Sequence, residues 1–248
     1  IRDPQNPDVV HYIRMRDLPV YDKTIILSAT VNERLSRCMY GKGVQFHNVG
    51  AIKPRGRVVQ FSQYGYSRSG LQRKRQLKLA KKLMTQFTTQ DAQRIRRVNV
   101  ITFKKYRHQF DDVITNYGAT TGLNNFSGQD LAIIGTPHLY PITYLLRASA
   151  LGFRGDVPEM EMVDIERNGM RFPFMSYPDT NENDNSLLRE VQLQAIESEM
   201  LQSIGRARHH WTDATVLVFS NFVIPGAEQK VLTPQEEKEL LSDDEFVA

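Results

Sequence analysis

Short runs that are apolar at nearly every position alternate along the chain with longer stretches in which apolar residues return every third or fourth place. The short runs are Thr24–Leu27, Arg57–Phe61, Val98–Phe103, Asp112–Thr115, Leu131–Ile134 and Thr215–Phe219. Each is rich in Val, Ile or Phe and bounded by polar residues or Gly, which predicts strands covered on both faces, as in a mostly parallel sheet. Two helices stand out. From Leu71 to Phe87, Leu79, Leu83 and Phe87 recur at four-residue steps, and Leu71, Ala80 and Met84 widen the stripe. The opposite surface carries Arg73, Lys74, Arg75, Lys78, Lys81 and Lys82. That pattern describes a core-packed helix with a basic outer face. The second helix spans Ser186–Ile204, with Asn185 or Ser186 suited to cap it. Leu188, Val191, Ala195, Glu199 and Gln202 follow at helical spacing, so Gln202 sits near its end. Asn168-Gly169, between Glu161–Ile165 and Met170–Met175, predicts a hairpin with a type I′ turn. Ser176–Asn185 is turn-rich and reads as a surface loop. The alternation as a whole predicts an α/β fold.

Composition narrows the class. The 248 residues allow one or two domains at about 150 residues each. With 40% hydrophobic and 24% charged residues, chain-wide disorder and collagen-like structure are excluded. The one cysteine, Cys38, has no partner for an internal bridge. No apolar run approaches the ~18–20 residues of a membrane span. The first residues do not read as a signal peptide, and a start at Ile1 reads as a piece of something longer. The expected setting is cytoplasmic or nucleoid-associated, without a membrane. The net charge of +4 is uneven: from Thr233 onward the chain sums to −5, leaving +9 on the first 232 residues. A basic body with an acidic tail suits a partner that is a polyanion. The six histidines show no metal-ligand spacing. Trp211 reads as a packing residue.

Three segments carry candidate chemistry. Leu27-Ser28-Ala29-Thr30 ends an apolar run in two hydroxyl residues, placed where open α/β sheets bind ligands. Tyr117–Asp130 is Gly-rich, and Gly118, Gly122 and Gly128 permit tight turns and close approach of backbone N–H groups to phosphate. Within it Asn124 and Asp130 could accept from ribose hydroxyls or orient an arginine. The spacing is not that of a G-x-x-x-x-G-K-[ST] phosphate loop. Gln202-Ser203-Ile204-Gly205-Arg206-Ala207-Arg208 brings a helix to a glycine and then presents two guanidiniums. Such groups suit bidentate contact with phosphate and can stabilise a transferring γ-phosphoryl group.

Taken in this order, Ser-Ala-Thr, a Gly-rich G-x-N loop and Q-x-x-G-R-x-R resemble motifs III, V and VI of superfamily 2 helicases. Val98–Phe103 with Lys104-Lys105-Tyr106 occupies the place of motif IV. The Q-x-x-G-R-x-R spacing is similar to that of Dicer-like and viral-RNA-sensing helicases, whereas many other members place the second arginine where this chain has His209. The G-x-N-x-F wording looks more like DNA helicases of replication and mobile elements. The resemblance covers residues 24–222.

It implies a RecA-like sheet flanked by helices, with the hairpin inserted, as the second RecA-like domain over residues 41–232. Residues 1–40 would be a remnant of the first RecA-like domain and a linker, and residues 233–248 an acidic tail. It assigns Gln202, Arg206 and Arg208 to the γ-phosphate and its transition state. Gly122, Asn124, Asp130, Gly205, Ser28 and Thr30 would bind the nucleotide or couple it to the strand. Lys104, Lys105, Arg73, Lys74, Lys78, Thr120 and Thr121 would hold a strand backbone, DNA more than RNA, without reading sequence. No Walker A or Walker B element precedes Ser28, so ATP and Mg²⁺ would be held mainly by the first RecA-like domain, and this chain alone would not hydrolyse ATP. The alternative is a RecA-like binding or regulatory module without hydrolysis. An unrelated phosphotransferase lacks a convincing base or nucleophile beside the Gly-rich loop.

Overall fold

Strands form where the sequence offers consecutive β-branched and aromatic residues, and in the computed structural model these assemble into one sheet. The structure describes residues 6–14, 23–50, 52–89, 98–110, 113–120, 122, 125–179 and 186–242. By compactness the chain divides into two units. One comprises residues 50–137, 164–173 and 199–248, and the other residues 1–49, 138–163 and 174–198.

The first unit holds the sheet. Its strands are β1 (Arg57–Phe61), β2 (Asn99–Thr102), β3 (Val113–Asn116), β4 (Leu131–Ile134), β7 (Thr215–Phe219) and β8 (Glu228–Lys230), in the order β3-β2-β4-β7-β1-β8. Every neighbouring pair is parallel. Leu217 lies opposite Val59 on one side and Ala132 on the other, so β7 is central. Side chains alternate across a pleated sheet, and both alternating sets are buried here. Val59, Phe61, Val100, Ala132, Ile134, Leu217 and Phe219 form one cluster with Leu79, Ala80 and Leu83 of helix α2 (Lys74–Thr89). Ile101, Leu131, Ile133, Val216 and Val218 point the other way and are equally buried. The result is an all-parallel α/β sheet flanked by helices, consistent with the RecA-like fold that the resemblance implies, with a separate antiparallel hairpin.

That hairpin pairs β5 (Glu161–Arg167) with β6 (Met170–Ser176). Asn168 and Gly169 take φ of +53° and +73°, as a type I′ turn requires. In the sheet unit its Phe172 ring meets Phe222 edge-on.

The other unit is helical. Helix α1 (Glu33–Tyr40) is capped by Asn32, whose side chain accepts from the Leu35 amide. Helix α3 (Pro141–Ala150) begins on a proline whose missing N–H costs nothing there. Tyr144, Ala148, Phe153, Tyr177, Leu187, Leu188 and Val191 form its core. Helix α4 (Ser186–Gly205) contributes residues to both units.

Two expectations change. Thr24–Leu27 forms no strand, and Ile25 and Leu27 are 74% and 92% exposed. An apolar run becomes a strand only where a neighbour completes its ladder, and among the described residues none lies beside it. The acidic stretch after Thr233 is ordered in part as helix α5 (Pro234–Ser242), which packs on α2. Thr233 and Glu236 start it as a reciprocal cap: the Thr233 amide and hydroxyl donate to the Glu236 carboxylate, and the Glu236 amide donates back to Thr233 Oγ1. Among the described residues no helix is long and apolar enough to cross a membrane.

Candidate functional site

Because β3 and β4 are parallel, the Gly-rich segment between them must run from the carboxyl edge of the sheet back to its amino edge. Glu199 of α4 and Ala207, in the turn just beyond that helix, fasten both ends of that run. At the carboxyl edge the Gly118 amide donates to Glu199 Oε1 at 2.9 Å. At the amino edge the Gly128 amide donates to the Ala207 carbonyl at 3.0 Å. Gly122, exposed and with φ of +80°, lies between these two fastenings. Asn124 and Thr121 fall outside the described residues.

The amino edge gathers the arginine turn. Gln202 is exposed near the end of α4, and Gly205 is its last residue, in helical conformation. The chain reverses not at that glycine but at Arg208, whose φ of +55° is an uncommon state for a side chain of this size. Arg206 is half-buried and Arg208 is exposed, while Ala207 between them is buried. The turn is stapled to the start of β1, where the Gly56 amide donates to the His209 carbonyl at 2.8 Å and the Arg57 amide to the Ala214 carbonyl at 3.1 Å. A Cβ on Gly56 would lie 2.1 Å from the Ala214 carbonyl oxygen, so glycine is needed there for close approach rather than for its φ. Asp130 is 9% exposed and spends Oδ1 on the Thr215 amide at 2.7 Å, fixing where β7 begins. His209 is buried; desolvation first, and then the neighbouring His210, hold its imidazole below the ordinary range, which favours the neutral ring.

The carboxyl edge gathers lysines. Lys104 and Lys105 are exposed on the short 3₁₀ turn after β2, next to the loop that follows β3. Lys105 Nζ lies over the Tyr106 ring at 5.7 Å, and the Tyr106 hydroxyl donates to the Arg68 carbonyl. Arg68 in turn lies over Phe103 at 5.3 Å, which adds an exposed cation that the motif pattern did not single out. Thr120, expected to contact a strand, is buried instead at 1% exposure. The Tyr117 hydroxyl donates to the Gly135 carbonyl, and desolvation, with Glu199 nearby, pushes it well above the ordinary phenol range.

The basic helix is divided. Arg73 and Lys74 are exposed. Lys78 Nζ donates to the Leu241 carbonyl at 2.8 Å, and Arg75 Nε pairs with Glu237 at 2.8 Å. Glu237, 4% exposed, also accepts from the Tyr64 hydroxyl at 2.8 Å. Part of this surface therefore faces the chain's own acidic helix.

Ser28 and Thr30 belong to the helical unit. The Thr30 amide donates to Ser28 Oγ at 3.2 Å, and the Thr30 carbonyl accepts from Gln194 at 2.6 Å. Glu199, Gly56, Arg68 and Trp211 were missed or misread in the sequence. Nothing local marks Glu199, Gly56 or Arg68; Trp211, expected in packing, is 62% exposed.

No family model, curated protein or solved structure matches this chain. The functional reading therefore rests on the motif order and on this geometry.

Proposed function

We propose that the chain is the arginine-bearing, second RecA-like half of an ATP-dependent nucleic-acid helicase or translocase. The observation that carries the reading is the double fastening of the Gly-rich loop, to α4 at Gly118–Glu199 and to the arginine turn that follows α4 at Gly128–Ala207. It gives α4 and the turn that continues it a hold on both edges of the sheet: lysines at the carboxyl edge, arginines at the amino edge. In this reading Arg206 and Arg208 neutralise charge developing on the γ-phosphate, and Gln202 orients the attacking water. Lys104, Lys105, Arg73 and Lys74 hold a strand backbone, DNA more than RNA, without reading sequence. A change in the loop at one edge then reaches the other through α4.

The residues present suit the triphosphate end of ATP, with two guanidiniums on one stapled turn. With no Walker A or Walker B element before Ser28, both Mg²⁺ and the β-phosphate belong in this reading to a first RecA-like domain. The test is steady-state ATP hydrolysis by the protein in which this chain is joined to that domain, with and without single-stranded DNA. Strand-stimulated hydrolysis is expected; hydrolysis indifferent to any strand contradicts the reading.

A further inference from the structure

Trp211 is the chain's one tryptophan and is 62% exposed. It stands in a turn with little freedom. Its amide donates to the Arg208 carbonyl at 2.8 Å, the Thr212 amide donates to the same oxygen at 3.0 Å, and Thr212 Oγ1 reaches the Ala207 and Arg208 carbonyls. The Gly56–His209 bond ties this turn to the segment leading into β1. An indole 62% exposed on a hydrogen-bonded turn adds little to a core and leaves a ring face open to a ligand.

The turn before it and the segment bonded to that turn are basic. Arg208 and His210 are exposed in the same turn, and Lys53, Arg55 and Arg57 are exposed on the segment bonded to it. Arg57 already lies over Phe87 at 5.8 Å, and Asp213 is the nearby acid in the chain. An open indole face with arginines close to it in the chain suits a base joined to phosphate. Proteins that track a strand line up successive aromatic platforms. Here one platform and two arginines fall within seven residues, Arg206–Thr212, which fits one nucleotide.

We propose that Trp211 is a stacking platform for the base of a nucleoside triphosphate whose phosphates lie against Arg208, Lys53 and Arg55. The proposal rests on the reading of Arg206 and Arg208 given above and extends it to the base. Contact by a ring face discriminates poorly among purines, so ATP and GTP bind alike.

Because Trp211 is the chain's one indole, its emission reports the site directly. Titrating the purified chain with ATP should quench it saturably, with an affinity for GTP within about threefold; inorganic triphosphate should compete without quenching. Trp211→Ala should weaken binding of a ribose-labelled ATP roughly 5- to 150-fold with an unchanged melting temperature, and Trp211→Phe should restore most of it. Absence of ATP binding, or binding that leaves the emission and the Trp211→Ala affinity unchanged, overturns the proposal. In the latter case, loss of binding in Arg208→Ala would leave the arginine reading standing. Quenching by an oligothymidylate but not by ATP would make Trp211 a strand contact and overturn it as well.

Discussion

Glu199 accepts the amide of Gly118 at 2.9 Å, one turn of helix before Gln202. The loop that follows β3 is thereby joined to the helix whose end carries the arginine turn. If the two edges of the sheet communicate through α4, this bond is where the carboxyl edge is read. Glu199→Ala should cut strand stimulation of ATP hydrolysis by about 2- to 30-fold, the span of 0.5–2 kcal/mol of coupling, with basal turnover little changed. Glu199→Gln keeps an acceptor and should lie between the two. Equal loss of basal and stimulated rates would make Glu199 a structural residue alone.

Gly56→Ala should destabilise the sheet unit by at least about 1–3 kcal/mol, because the new methyl meets backbone that cannot swing aside. Urea unfolding measures it. A change below about 0.5 kcal/mol, the size usual for surface positions, would show that the arginine turn is not tightly held to β1.

The sheet was largely legible in the sequence and the site only partly. Leu131–Ile134, Arg57–Phe61 and Thr215–Phe219 are strands at the expected residues, since β-branched runs buried on both faces leave few other options. Thr24–Leu27 has the same local pattern and forms no strand, because a ladder is a property of two segments and the pattern describes one. Helix α5 lies in a stretch dominated by charge that hides its pattern, although Thr233-x-x-Glu236 is a capping signal. In the site, residue types were legible while their mutual placement was not. Arg206, Arg208 and the glycines could be named, but Gly56 and Glu199 act through partners about 80 residues or more away in the chain, Glu199 through Gly118 and Gly56 through His209.

On the basic helix, charge reversal separates free cations from those held by α5. Lys74→Glu with Lys81→Glu should weaken single-strand binding and flatten the log–log salt slope by roughly one unit per lost contact. Lys78→Glu should in addition lower the melting temperature, since Lys78 also holds the Leu241 carbonyl. An unchanged slope in the double variant would make this face a solvated surface only.

Acid should loosen the arginine turn. With His209 titrating below its ordinary value of 6.5 in the folded state, the unfolded chain takes up a proton first as pH falls. Stability is therefore lost from about pH 7 downward and levels off once folded His209 titrates too. His209→Gln should flatten this part of the stability profile; an identical profile would place the dependence elsewhere.

In the proposed reading Arg206 completes an ATP site whose phosphate cradle lies on a first RecA-like domain. Strand-stimulated ATP hydrolysis by the joined protein, compared between the parent and Arg206→Ala, tests it most directly. In the variant kcat should fall by about 10³-fold with KM for ATP little changed, and this chain alone should not turn over ATP. A loss of less than about threefold in kcat would contradict it.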